Sequence, residues 1–377
     1  MTQILQVGLD ATPSAGGSAA ALHAVRDAIK GDAISFTGES RWGETHEVDG
    51  VLHLRAGRGW MGRYFHKPPA AELARADKMI AAADLLVIHT LYRYHAHWAQ
   101  AQAQARGIPY WVFVHGGLDP HVLSYRRFRK MCWLHHFGQQ YLRDAQQVLF
   151  ATRNEEAKAA PFLDGARSQI LPWPVSPPQP ANPNKARQRW REQLGIREDQ
   201  RLLLVLGRLQ AVKQPLDILE AFRHAHVPAT HLVFAGPDEG ISRTDLLHLA
   251  QMMGVPGVHA TGPVYGWRKD ALLVAADGLI SLSTKENFNF AAAEAMAAGR
   301  PVILSPGNDL QGELAGIDCG WMLRTTGTAE ASQAIHAFST LPQEQLLCMG
   351  ETARAWVVDQ LGPDTFRQRL ENILGLL

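Results

Sequence analysis

Residues 281–304 read SLSTKENFNFAAAEAMAAGRPVIL. An apolar run enters Ser283-Thr284, a polar loop carries Glu286-Asn287-Phe288-Asn289, and an alanine-rich stretch contains Glu294. Gly299 and Pro301 end that stretch just before a second apolar run, Val302–Leu304. Strand, loop, helix and strand in this order form a βαβ crossover, which predicts a parallel sheet. A helix N-terminus at a strand's carboxyl end offers unpaired amides and a positive dipole, a setting that favours phosphate. Glu286 and Glu294 stand eight residues apart, about two helical turns, and would lie near one face of a helix that began early. Two solvated glutamates on a capped helix account for the same spacing equally well.

The alternation continues in both directions. Candidate strands are Ile4–Gly8, Leu85–His89, Trp111–Val114, Val148–Ala151, Leu202–Leu206, Leu232–Ala235, Gly278–Leu282 and Val302–Leu304. Continuous apolar runs separated by longer helix-like stretches predict an α/β fold whose strands are covered on both faces. The sharpest break is LPWPVSPPQPANPN, residues 171–184, with six prolines in fourteen positions. Proline fixes φ and lacks an amide donor, so the stretch is extended. It predicts an N-terminal Rossmann-like domain over 1–170, a linker over 171–184 and a second Rossmann-like domain over 185–360. A last helix over 361–377 could pack back on the first domain. A cleft facing both sets of strand carboxyl ends is the expected ligand site.

Further motifs surround the opening stretch. LLVLGRLQAVK, residues 203–213, places Gly207, Arg208 and Lys213 just after a strand. LVFAGPD (232–238) ends another strand in glycine, and TGPVYGWRKDALLV (261–274) is a glycine-containing turn entering a helix. In this order the motifs resemble the nucleotide-sugar half of glycosyltransferase family 4, a retaining family with the GT-B fold. The resemblance implies two Rossmann-like domains with parallel sheets facing a central cleft. It implies that Arg208 and Lys213 clamp a donor diphosphate, that Glu294 accepts from the ribose hydroxyls, and that Glu286 contacts the transferred sugar. Gly207 and the amides of Asn287, Phe288, Asn289 and Phe290 would face sugar and phosphate, and the turn at Val264 would meet the base. Many family members have E-G-F-G where this chain has Glu286-Asn287-Phe288-Asn289. Asparagine tolerates left-handed backbone, so the loop shape is expected to survive while Asn289 adds an amide beside the donor sugar.

The N-terminal half opens with a strand, the loop Pro13-Ser14-Ala15-Gly16-Gly17-Ser18 and a helix. A Gly-Gly helix start can approach a phosphate, and a plain tight turn explains it as well. The family's P-x-x-GG favours a donor role for Gly16 and Gly17. DLLVIHTLY (84–92) and WVFVHGGLDP (111–120) resemble two more family segments, and His115 is the candidate catalytic histidine. His89, Tyr92, Asp119 and His121 are acceptor-side candidates. Asp119-Pro120 also reads as a turn initiator. Thr90, Tyr92 and His121 replace Gly, Trp and Trp of the pattern, so acceptor identity does not carry over.

The remaining composition sets limits. The 377 residues hold 37 basic and 36 acidic side chains, and 46% are hydrophobic, which excludes a disordered chain and a dedicated nucleic-acid binder. Neutrality conceals asymmetry: residues 1–180 carry 19 basic and 15 acidic side chains, and residues 181–377 carry 18 and 21. Residues 50–71 and 124–134 are basic and aromatic, which suits an anionic membrane, a phosphorylated acceptor or an ordinary solvated face. Three scattered cysteines and seventeen histidines show no ligand spacing, so no metal is expected. No signal peptide or membrane span is apparent in the sequence.

The expected activity is metal-independent, retaining sugar transfer in bacterial surface polysaccharide or glycoconjugate assembly. No cofactor is implied beyond a UDP- or GDP-linked donor. The expected acceptor is a glycan or lipid-linked hydroxyl, and the expected location is the cytoplasm or the inner face of the plasma membrane. A phosphorylase on the same fold and a silent sugar-nucleotide-binding subunit are the alternatives. No segment suggests a pyridoxal-phosphate lysine, and the intact Arg208, Lys213, Glu286 and Glu294 set argues against a silent subunit.

Overall fold

The computed structural model describes residues 2–12, 15–37 and 45–375. Pro13 and Ser14 of the N-terminal glycine loop lie outside these residues. The chain divides into two compact units, Met1–Pro174 with Pro363–Leu377, and Val175–Gly362.

In the first unit eight strands form one sheet: β1 (Ile4–Gly8), β2 (Asp32–Thr37), β3 (His46–Val48), β4 (Val51–Arg55), β5 (Leu85–His89), β6 (Tyr110–Phe113), β7 (Gln147–Phe150) and β8 (Ser168–Ile170). Their order is β3-β4-β2-β1-β5-β6-β7-β8. Among the described residues only the edge pair β3–β4 is antiparallel. In the second unit, β9 (Arg201–Leu206), β10 (Thr230–Ala235), β11 (Val258–Ala260), β12 (Gly278–Ser281), β13 (Val302–Leu304) and β14 (Gly320–Met322) run parallel in the order β11-β10-β9-β12-β13-β14. Both sheets are wound outward from a first strand, so direction reverses between β1 and β5 and again between β9 and β12. At such a switch point the flanking crossovers leave on opposite faces and open a crevice beyond the strand carboxyl ends.

The central strands are fully buried, as continuous apolar runs require. β1, β5 and β13 match the sequence expectation residue for residue, and β6 and β7 begin and end one residue earlier than expected. β8, β11 and β14 escape notice because three half-buried residues are too short to show a period. β4 is a correction. It occupies part of the stretch read as basic and aromatic, yet Val51, Leu52 and Leu54 are core residues of an internal strand.

Each unit has its own core, one around Phe36, Trp98 and Phe150 and the other around Phe222, Phe234 and Phe338. Asp277, just before β12, accepts hydrogen bonds from the Leu202 amide and the buried Arg191 guanidinium, which ties β12 to the start of β9. The proline-rich stretch is more than a tether. Leu171 and Trp173 are buried in the first unit, and the Val175 amide donates to the Leu361 carbonyl in the second. The helix Pro363–Leu374 belongs to the first unit, where Arg367 donates to the Ala28 carbonyl at 3.0 Å.

Candidate active site

In the second unit the candidate residues flank the β9/β12 switch point. Gly207 and Arg208 follow β9, and the single turn Ala211–Lys213 comes next. The Val212 carbonyl accepts from the Thr284 amide at 2.9 Å, which brings Lys213 against the loop after β12. There the Lys213 ammonium donates to the Glu286 carboxylate. Lys213 also lies over Gly207, its Cε and Nζ within 3.6 and 3.8 Å of where a Cβ would stand.

Glu286 is not on the helix, which corrects the shared-face expectation. The helix spans Phe290–Ala297, and Glu286 sits in the preceding loop. That loop is paired as a short bridge, with the Glu286 amide donating to Gly307 at 2.7 Å and its carbonyl accepting from Asp309 at 2.8 Å. The approach needs a glycine at 307, because a Cβ there would fall on the Ser283 carbonyl.

Asn289 is a second correction. It adopts the left-handed conformation expected, φ 63°, but its side chain is buried and turned inward. Its Oδ1 caps the helix by accepting from the Ala292 amide, and its Nδ2 donates to Asn308 Oδ1 at 2.7 Å and Ser281 Oγ at 3.0 Å. The amide expected beside a sugar therefore holds the loop instead. Phe288 is buried too and meets Phe290 edge-on, so at these positions only backbone can face a ligand.

Glu294 is the one charged side chain on a helix otherwise buried through Ala292, Ala293, Ala295, Met296 and Ala297. Its carboxylate accepts from Lys269 at 2.6 Å. Arg208 makes a bidentate pair with Glu239 at 2.9 Å. Val264 is buried in the turn after β11, and the preceding Gly262 has φ 74°. Thus the structure joins Lys213 to Glu286, while Arg208 and Glu294 each take a partner that sequence reasoning missed.

In the first unit Gly16 caps the helix Gly17–Ile29 with φ 81° and ψ −146°, a conformation only glycine reaches readily. A Cβ at Gly16 or Gly17 would meet no atom of the described residues within 4 Å. Across the β1/β5 switch point, His89 ends β5, and His115 lies two residues beyond β6. Thr90, Tyr92 and His115 all have left-handed backbone, at φ 69°, 63° and 50°. Three such non-glycine residues at adjoining strand ends mark strain held by surrounding contacts.

Those contacts are visible. The buried Glu155 accepts from the Gly116 amide at 2.5 Å and the Ala151 amide at 2.8 Å. Tyr92 donates to the Gly117 carbonyl at 2.7 Å, and burial pushes its phenol pKa up. Trp173 stacks on the His115 ring with centroids 4.7 Å apart and planes 22° apart.

His89 is 1% exposed, which removes it as a direct acceptor contact. Its Nδ1 lies 2.9 Å from His115 Nε2, and its Nε2 lies 2.9 Å from Gln6 Oε1. Tyr92 is likewise committed internally. Asp119 caps the turn Pro120–Ser124 by accepting from the His121 amide, and it pairs with Lys158 at 3.5 Å. His121 is exposed. Burial lowers the His115 pKa to about 3 and the His95 pKa to about 4, and holds His89 well below its ordinary value. All three rings are neutral at neutral pH.

Several supporting residues were missed by sequence reasoning. Glu155 was legible as the fourth residue of Thr152-Arg153-Asn154-Glu155, a capping-box pattern whose carboxylate here reaches the histidine turn instead. Trp173 was hidden inside the proline-rich stretch, and Gln6 and Asn308 gave no local signal. Among the described residues no group of three or more His, Cys, Asp or Glu could hold a metal ion, and no helix is long and apolar enough to cross a membrane.

The structure of Anabaena HepE with UDP and glucose covers all of both chains at a TM-score of 0.76 and 15% identity. Sucrose-phosphate synthase from Thermosynechococcus elongatus covers 99% of this chain and 98% of its own at a TM-score of 0.76 and 18% identity. WaaG, a glycosyltransferase involved in lipopolysaccharide biosynthesis, covers 99% and 100% at 0.70 and 17% identity. The fold is GT-B.

Within this GT-B chain, residues 186–356 match the family model for glycosyl transferases group 1. The D-inositol 3-phosphate glycosyltransferase of Xylanimonas cellulosilytica is 32% identical over 176 residues, 44% of this chain and 42% of that protein. The protein of the same name from Nocardioides is 29% identical over 189 residues, 44% of this chain and 40% of its own length. The GT-B chain thus spans about two fifths of the length of these curated relatives.

Proposed function

We propose that this protein is a retaining, metal-independent glycosyltransferase that moves a sugar from a UDP- or GDP-linked donor to an acceptor hydroxyl. The observation that carries this reading is the Lys213–Glu286 contact at the β9/β12 switch point, with Gly207 beneath it. A lysine already resting on a carboxylate can exchange that partner for a diphosphate, while the freed carboxylate takes sugar hydroxyls. The match of residues 186–356 to glycosyl transferases group 1 supports the donor side. So do relatives named as glycosyltransferases and a neighbour solved with UDP-glucose.

In the proposed reaction the bond from the anomeric carbon to the diphosphate breaks and a bond to the acceptor oxygen forms on the same face. The acceptor proton passes to a departing phosphate oxygen, so no enzyme base is required. Lys213 and Arg208 stabilise the leaving diphosphate, and fixed charges aimed at developing charge supply the largest share of such catalysis. Glu286 holds the cationic sugar, and Glu294 accepts from the ribose diol.

We further propose bacterial surface polysaccharide or glycoconjugate assembly as the setting, in the cytoplasm or at the inner face of the plasma membrane. In the first unit Tyr125, Phe128 and Phe137 are 66%, 81% and 59% exposed, among Arg126, Arg127 and Arg129. Aromatic rings interleaved with cations suit an anionic surface presenting a lipid-linked acceptor.

The test is a thermal-shift panel of UDP-, GDP- and ADP-sugars, followed by turnover of the stabilising donor. Stabilisation by one nucleotide series with hydrolysis or transfer supports the reading. Stabilisation without any turnover makes the chain a silent binding subunit instead.

A further inference from the structure

The buried side of His115 bears on how it meets a ligand. Its Nε2 faces His89 Nδ1, and His89 Nε2 faces Gln6 Oε1, each at 2.9 Å. Gln6 is fully buried in β1, and His89 ends the neighbouring strand β5. An amide oxygen only accepts, so His89 Nε2 carries the proton that Gln6 receives. A neutral imidazole has a single N–H, which makes His89 Nδ1 an acceptor. The proton between the two rings therefore sits on His115 Nε2.

The surroundings hold this chain in one geometry. Trp173 stacks on the His115 ring and lies parallel to His89, with ring centres 6.0 Å apart. Glu155 fixes the Gly116 amide next to His115. His95 Nε2 donates to the His89 carbonyl at 2.6 Å, which steadies the end of β5. Nδ1 of His115 has no partner among the described residues.

We propose that Gln6 and His89 are positioning residues that keep His115 in the Nε2–H tautomer, leaving Nδ1 unprotonated and able only to accept a hydrogen bond. Resting on the glycosyltransferase reading, this makes a donated sugar hydroxyl the group His115 selects, and it excludes His115 as a proton donor at Nδ1. Second-sphere control of imidazole tautomers by the partner of the opposite nitrogen is general chemistry. Gln6 Nε2 is buried without a partner, and turning the amide would reverse every proton along the chain. The amide orientation is thus the element the experiment must read.

Long-range ¹H–¹⁵N correlation spectra of the ligand-free, full-length protein report the protonation of each ring nitrogen. The His115 signals are assigned by their loss in His115→Gln. The expected result is a protonated Nε2 and an unprotonated Nδ1 at His115 at neutral pH. The same spectra of Gln6→Met, which removes the acceptor and nearly preserves volume, should show His115 redistributed between tautomers. An Nδ1–H tautomer or a charged ring in the native protein overturns the proposal. An unchanged His115 in folded Gln6→Met removes Gln6 from the chain. Should Gln6→Met fail to fold, the native spectrum alone still decides the tautomer. No nucleotide sugar is needed, so failure of the donor panel above would sink the glycosyltransferase reading and leave the tautomer result standing.

Discussion

The ammonium of Lys213 rests on the carboxylate of Glu286, 73 residues away in sequence. Both side chains are partly exposed, at 19% and 24%. The contact pairs the two charges in the ligand-free protein and lies beside Gly207, just past the end of β9. A diphosphate arriving there would replace the carboxylate as the lysine's partner.

Lys213→Ala is expected to lower turnover by about 10²–10³-fold, the range seen when a group stabilising developing charge is removed. Melting temperature should change little, because partly exposed ion pairs contribute about 1 kcal/mol or less. Steady-state kinetics with the donor found in the panel, alongside a thermal melt, checks both. Wild-type turnover in a folded variant would remove Lys213 from the diphosphate site.

Arg208 is held by Glu239 through two hydrogen bonds of 2.9 Å, and a donor phosphate must displace that carboxylate. Both partners are about half exposed, so the competition is worth roughly 0.2–1 kcal/mol, up to about fivefold in affinity. Glu239→Gln should tighten binding of the nucleoside diphosphate by that factor at low salt. The advantage should shrink at high salt, where surface charges are screened. Titration calorimetry at two ionic strengths reads the effect, and weaker binding would show that Glu239 contacts the ligand instead.

Asn289 combines a left-handed backbone with a side-chain cap. Asn289→Ala loses both advantages and should destabilise the protein by about 1–3 kcal/mol in urea unfolding. Asn289→Gly keeps the backbone freedom and loses only side-chain bonds, so it should cost less. Equal losses would mean that the buried bonds to Asn308 and Ser281, rather than the backbone conformation, dominate.

The neutral histidines make stability fall in acid. Burial depresses His95 to about 4 and His115 to about 3, with His89 lowered as well, against an ordinary value of 6.5. Above pH 6.5 neither folded nor unfolded chain protonates these rings, and their neutral burial costs nothing further. As pH drops below 6.5 the unfolded chain takes up protons that the folded chain refuses. Each ring then subtracts about 1.4 kcal/mol per pH unit until its folded value is reached. Neighbouring His66, His97 and Arg93 add positive charge in the same direction. Urea unfolding between pH 7.5 and 5 should show this slope, reduced in His95→Gln. A flat profile would show that the rings protonate in place.

Much of the fold was legible because buried parallel strands leave a local mark. Leu85–Ile88 and Val302–Leu304 are unbroken apolar runs, the first closed by His89. Val51–Arg55 was misread because Arg55 and the cations after it drew attention from a short strand whose Leu52 and Leu54 point into the core. In the candidate site, Arg208, Lys213 and His115 stand shortly after strands, and the roles expected of them and of Glu286 and Glu294 came from the family resemblance rather than from position. Asn289 was placed correctly in backbone and wrongly in side chain. Its conformation depends on its own φ, whereas its hydrogen bonds depend on Asn308, which the β12–β13 crossover brings beside it.

By itself the sequence determined β1, β5, β6, β7, β9, β10, β12 and β13 and which residues stand near their carboxyl ends, because those follow from short-range hydrophobic pattern and turn chemistry. Only the tertiary structure decided the partners. Strand order sets β1 beside β5, β5 beside β6 and β9 beside β12, and from that come Gln6 against His89, His89 against His115 and Lys213 against Glu286. Each joins residues 26 to 83 positions apart, where the chain carries no local record of which side chains will meet.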